Sequence, residues 1–118
     1  MRKIAADIFR QRLLIEGFYR ITLNESTIKK YFIEICDRLN LRMYGEPIIF
    51  SPSAEGKDEN QGYDAFAPLI DSGISVYVWT NKRFVSVVLY SCKKFVSKTA
   101  VELTKNFFQA NKLVSQEF

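Results

Sequence analysis

The sequence predicts an α+β fold, a two-layer α/β sandwich in which a mainly antiparallel sheet carries two helices on one face. Three observations predict it. Val, Ile, Tyr, Phe and Trp crowd Ile74 to Trp79 and Phe84 to Tyr90, with a polar break at Thr80-Asn81-Lys82-Arg83 between them, which is the pattern of a hairpin. Ile28, Phe32, Ile35 and Leu39 recur at spacings of four, three and four, giving one apolar stripe on a helix. Ala100, Leu103, Phe107 and Ala110 make a second such stripe, which Phe108 and Val101 widen. Two amphipathic helices need an apolar surface to cover, and the aliphatic face of a sheet is that surface.

Taken in order, Met1 to Arg10 carries positive charge but no continuous apolar run, so it reads as a short turn or contact segment and not as a signal peptide. Arg12 to Tyr19 is the first strand, with Leu13 and Ile15 on one face and Leu14, Glu16 and Phe18 on the other. A carboxylate among apolar neighbours is costly if buried alone, so Glu16 must reach solvent, a cation or a site. Asn24 or Ser26 caps a helix that runs to about Asn40. Within it Cys36 borders the apolar stripe and is expected to be a small packing residue.

Leu41 to Phe50 reads as a strand interrupted by Gly45 and Pro47. Ser51 to Gly62 is polar and rich in breakers, hence a surface loop, and Tyr63 to Ile70 leads back into the sheet. After the hairpin, Ser97 is expected to cap the second helix, which runs to about Ala110, and Leu113 to Phe118 adds a last short strand.

The hairpin fixes a register. Pairing its arms about the polar turn opposes residues whose numbers sum to about 163, so Ser72 arrives beside Ser91 and Cys92 at the open end. Ile74, Val76 and Val78 then share the helix-facing side with Leu89, Val87 and Val85, and Ser75, Tyr77 and Trp79 share the other with Val88, Ser86 and Phe84. Strict alternation sends Ser72 and Cys92 to opposite faces. Gly73 allows a bulge that would turn Ser72 toward Cys92, or it is only the start of the strand.

With 118 residues the chain is expected to be a single domain, 1–118. Hydrophobic residues at 47% and charged residues at 25% exclude a disordered chain. The net charge of +4 is spread along the chain with no basic tract, so a nucleic-acid partner is not expected, although exposed Tyr77 and Trp79 would be the aromatics such a sheet offers. Two cysteines make no disulfide framework, and without histidine there is no zinc pattern, so no metal is expected and a reducing, cytoplasmic location is. No apolar run reaches the roughly 18 residues that span a membrane.

The central block resembles the bacterial and archaeal S-adenosylmethionine decarboxylases, whose corresponding segment reads like ESHISIHTWPE and is followed by a strand ending in TC. Here Asp71-Ser72-Gly73-Ile74-Ser75-Val76-Tyr77-Val78-Trp79-Thr80-Asn81 matches without a gap, then Ser91-Cys92, so the serine, tryptophan and cysteine fall in register. Leu13 to Tyr19, LLIEGFY, is similar to the family's first strand with its acidic residue, and FFQANKLV near the end resembles its last helix and short strand.

The resemblance implies a self-processing enzyme. Ser72 would attack the carbonyl of Asp71 and end as a pyruvoyl group capping a new chain, the one cofactor implied. Cys92 would protonate the carbon left by decarboxylation, and Glu16 would suit the cationic sulfonium of S-adenosylmethionine. Phe50, Phe66 and Tyr63 are suited to stacking on adenine, though aromatics beside a sheet as often pack in the core. The family also implies a homodimer and a place in polyamine (spermidine) synthesis. This sequence departs from the pattern at Gly73 and Tyr77, where the family has histidines, and at Asp64, where it has a processing serine. Tyr77 and Asp64 are then the residues standing where processing needs a proton carrier and a hydroxyl. An unprocessed relative that binds S-adenosylmethionine, or pairs with an active homologue, is the alternative these departures leave open.

Overall fold

The structure, a computed structural model, describes residues 4–51 and 62–118. Its elements are β1 (Gln11–Phe18), α1 (Glu25–Leu39), β2 (Ile48–Phe50), β3 (Gly62–Leu69), β4 (Ser72–Trp79), β5 (Phe84–Ser91), α2 (Ser97–Phe108) and β6 (Lys112–Glu117). The six strands form one antiparallel sheet in the order β2-β3-β4-β5-β1-β6. Both helices cover one face, so the α+β sandwich expected from the sequence is the observed fold. Most of the expected loop at 51–62, residues 52–61, lies outside the described residues, as do residues 1–3.

The core lies between the sheet and the helices. Ile74, Val76 and Val78 of β4 and Val85, Val87 and Leu89 of β5 are buried against Ile28, Phe32 and Ile35 of α1 and Ala100 and Phe108 of α2. The hairpin register is the expected one, from Ser72 opposite Ser91 through Trp79 opposite Phe84. Arg83 closes the turn in the left-handed region, at φ 52°, and its guanidinium donates to the carbonyls of Tyr19 and Ile21.

α1 begins at Asn24, whose side chain accepts from the Thr27 N–H while the Thr27 hydroxyl accepts from the Asn24 N–H. It ends at Asn40 in the left-handed conformation. The stripe is wider than the sequence pattern: Tyr31 is also fully buried, its hydroxyl 2.8 Å from that of Thr104 on α2. Burial drives the Tyr31 phenol well above its usual pKa, and the thiol of Cys36 is pushed up to about 11 for the same reason.

Three expectations need correction, and the choice left open at Gly73 is decided for the plain strand start. Ser97 does not cap α2; Val96 occupies the cap position and offers no side-chain acceptor, because the Ser97 hydroxyl instead accepts from the Gln11 side-chain amide at 3.0 Å. Phe107 is only half-buried, and Thr104 and Phe108 take its share of the stripe. Leu41 to Phe50 yields strand only at Ile48–Phe50, with an isolated bridge from Met43 to Leu69, since Gly45 and Pro47 break the ladder. Finally, Gly73 makes no bulge: it pairs regularly with Pro68 and Tyr90. Its missing side chain serves packing, for a Cβ there would stand 3.1 Å from the Phe66 ring that lies over it.

Candidate active site

Two clusters emerge, at the end of the sheet and across its uncovered face. The first is built by the tight connection from β3 to β4. Leu69 pairs with Ser72, leaving Ile70 and Asp71 to make the turn, and Asp71 takes the left-handed conformation at φ 58°. A residue other than glycine pays for that conformation, although Asp is among the side chains that tolerate it best. The carbonyl oxygen of Asp71 accepts from the N–H of Cys92 at 2.8 Å. One residue on, the Ser72 hydroxyl donates to that of Ser91 at 2.8 Å, and Ser91 Oγ also accepts from the Lys93 N–H at 2.8 Å. Ser91 is 1% exposed, Ser72 half-buried and the Cys92 thiol exposed.

Of the residues singled out in the sequence, Asp71 and Cys92 are joined through the backbone, and Ser72, next to Asp71, is tied by its side chain to Ser91. Alternation places Ser72 and Ser91 on the helix side of the sheet, so Ser72 is not turned toward the open face. Ser91 was seen in the sequence only as a neighbour. What makes it a partner is that Ser72 and Ser91 are directly opposed, a signal contained in the hairpin register itself.

The second cluster is a row running across all six strands on the open face. Phe50 stands opposite Asp64, Asp64 opposite Tyr77, Tyr77 opposite Ser86, Ser86 opposite Glu16, and Glu16 opposite Val114. Ser86, which the sequence did not single out, donates to Glu16 Oε2 at 2.8 Å and holds the half-buried carboxylate in place. Beside the row, Ile48, Phe50, Asp64, Phe66, Ser75 and Tyr77 line a groove of about 300 Å³. Phe50, Phe66 and Tyr77 are exposed there, whereas Tyr63 falls on the helix side and packs against the core. Tyr77 is five residues from Ser72 along β4, about 16 Å at 3.3 Å per residue, and on the opposite face. Within one chain the structure thus does not bring Tyr77, Asp64 or Glu16 to Ser72.

Asp71 and Ser72 at the tight turn, with Ser91 and Cys92 at the end of the paired strand, are the residues on which the comparison with known families bears. A model of the family described as S-adenosylmethionine decarboxylase matches residues 15–118. The chain belongs to the S-adenosylmethionine decarboxylase family. Its fold is that of the adenosylmethionine decarboxylase from Aquifex aeolicus VF5, a solved structure with a TM-score of 0.69 and 13% sequence identity that covers 94% of this chain and 89% of that one. No curated protein matches the chain. At 13% identity the likeness speaks for the fold, while the family match runs from Ile15 in β1 through the hairpin to β6 and so takes in Asp71, Ser72 and Cys92. No helix among the described residues is long and apolar enough to cross a membrane.

Proposed function

We propose that this member of the S-adenosylmethionine decarboxylase family processes itself at the Asp71–Ser72 bond and acts as a pyruvoyl-dependent decarboxylase of S-adenosylmethionine in polyamine (spermidine) synthesis. The observation that carries the reading is the Asp71 carbonyl, held by the Cys92 N–H at a strained turn with the Ser72 hydroxyl next to it. A donor aimed at that oxygen stabilises the negative charge that develops when the carbonyl is attacked.

Processing balances as follows. Ser72 Oγ bonds to the Asp71 carbonyl carbon as the Asp71–Ser72 amide bond breaks, and the hydroxyl proton ends on the freed amine. Loss of the Ser72 α-proton then expels Asp71 as a carboxylate and leaves an enamine. That enamine tautomerises to an imine, and one water releases ammonia to leave the pyruvoyl cap. Such a carbonyl supplies an electrophile and electron sink that no ordinary side chain offers. The residues present fit it at the turn: Ser72 supplies the atoms and Cys92, exposed beside Asp71, is the thiol that returns a proton to the decarboxylated carbon. Glu16, fixed by Ser86, offers a carboxylate to the sulfonium, and Phe50 and Phe66 offer stacking surfaces for adenine in the groove. A homodimer belongs to the same proposal. Phe18, Phe50, Phe66, Tyr77 and Val114 stand exposed on the open face, and a second copy laid on it would bury them.

One observation favours the alternative, an unprocessed relative that binds S-adenosylmethionine. The acceptor for the Ser72 proton is another hydroxyl, that of Ser91, which is a poor base near neutral pH. Intact-mass measurement of purified protein separates the two. Fragments 1–71 and 72–118, the second beginning in a pyruvoyl group, support the enzyme; an intact chain after prolonged incubation at neutral pH rejects it. Calorimetric titration of the intact chain with S-adenosylmethionine then tests the alternative.

A further inference from the structure

A cleft of about 430 Å³ opens where β1 begins, β6 ends and the segment after β5 leads into α2. It borders the Ser72 cluster from the far side of Ser91, which pairs with Gln11 of the cleft on β1 and with Ser72 on β4, and its chemistry is of opposite sign to that of Glu16 and Asp64 on the open face. Arg10, Arg12 and Lys94 line it against one side-chain carboxylate, Glu117, for a side-chain charge of +2. None of the three cations has an ion-pair partner among the described residues. Arg10 donates to the Ile4 carbonyl and keeps its other N–H groups free. Arg12 Nε is buried without a hydrogen-bond partner among the described residues, so the fold leaves that guanidinium incompletely satisfied.

Two further features point the same way. Ser97 lines the cleft at the start of α2, a helix with no side-chain cap and no acidic residue in its first turn, so its positive end is uncompensated. Phe9 and Phe118 form flat apolar walls, 49% and 56% exposed, and the Phe118 ring already carries the Arg12 guanidinium 5.3 Å from its centroid. Its volume is in the range of small-molecule pockets, roughly 300–1,000 Å³.

We propose that this cleft binds a phosphate monoester carrying a flat ring, a nucleoside monophosphate being the type, with the phosphate on Arg10, Arg12 and Lys94 and the ring on Phe9 and Phe118. A dianion matches the side-chain charge of the site, and guanidinium groups meet phosphate oxygens in a forked geometry. The cationic sulfonium of S-adenosylmethionine is repelled by the same charges, so this is a second site and does not depend on the processing of Ser72.

The test is titration of the full chain with AMP, adenosine and inorganic phosphate, read by calorimetry and by amide chemical shifts at low and at near-physiological salt. The expected result is saturable AMP binding, weakened by salt, with adenosine at least about tenfold weaker and shifts centred on Arg12, Ser97 and Lys98. Lys94→Gln, an exposed substitution, and the double variant Arg10→Gln/Lys94→Gln should each raise the AMP dissociation constant, the double by about tenfold or more. Thermal melts of both variants confirm that they fold. Absence of saturable AMP binding, unchanged affinity in the folded double variant, or shifts confined to the open face overturns the assignment. Phosphate binding as tightly as AMP overturns its aromatic half.

Discussion

Ser91→Ala tests the processing centre at the residue that sequence reading did not assign a role. The substitution removes an acceptor that is 1% exposed and serves two donors, the Ser72 hydroxyl and the Lys93 N–H. Lys93 is exposed and its N–H can turn to water, but the half-buried Ser72 hydroxyl loses the partner that orients it. A stranded buried donor costs about 1–3 kcal/mol, and because Ser72 is only half-buried the lower part of that range applies, about 1–2 kcal/mol. For a domain of this size that corresponds to a fall in melting temperature of roughly 3–8 °C. In the proposed processing step, the same 1–2 kcal/mol of lost orientation, expressed in the barrier, slows fragment formation by roughly five- to thirtyfold. The assays are a thermal melt and a mass-spectrometric time course of the 1–71 and 72–118 fragments, with Ser72→Ala as the uncleavable control. A melting temperature within one degree or so of the parent, together with an unchanged rate of fragment formation, would refute the role given to Ser91.

Glu16→Gln should leave the Ser86 hydrogen bond and the fold intact while weakening S-adenosylmethionine binding several-fold, measured by calorimetry; equal affinity means that Glu16 does not face the sulfonium. Gly17→Ala should loosen β6, since a Cβ there would stand 2.5 Å from the Lys112 carbonyl oxygen and 3.2 Å from the Leu113 backbone; hydrogen exchange should show faster exchange across Lys112–Glu117 and little change in the β4–β5 hairpin. Cys36 gives a pH prediction. Its thiol pKa is raised from 9.0 to about 11 in the folded chain, so the stability it contributes is full below pH 9 and is lost as pH climbs toward 11. Two pH units set a ceiling of about 3 kcal/mol, so the stability advantage of the parent over Cys36→Ala in urea melts should shrink by a measurable part of that between pH 8 and pH 11. A difference flat across that range removes the argument.

Much of the fold was legible because it rests on short-range periodicity. The alternation in Ile74 to Trp79 and Phe84 to Tyr90 flanks a four-residue polar turn, which specifies the hairpin register and with it the meeting of Ser72, Ser91 and Cys92. The helix stripe at Ile28, Phe32, Ile35 and Leu39 is equally local. Apart from the strand that Gly45 and Pro47 cut short, the misses depend on partners distant in the chain. Ser97 has the composition of a cap, yet Gln11, 86 residues away, competes for its hydroxyl. Gly73 reads as a bulge signal until Phe66 is known to lie over it from β3. Ser86 looks like any solvent-facing serine until β1 brings Glu16 against it. The site residues on the open face were individually visible, but their arrangement as one transverse row follows from the strand order, which no local pattern reveals.

The ring of Phe66 has a bearing on how this chain could change. Position 73 has its side-chain space partly taken, with aromatic carbons 3.1 and 3.2 Å from where a Cβ would sit. A side chain placed there would press on that ring, and Phe66, exposed on the open face, would have to shift by a few tenths of an ångström, so the two positions are coupled. The size of the residue at 73 thereby sets where the Phe66 wall of the groove stands, so the turn end of β4 and the open-face groove are tied through one ring.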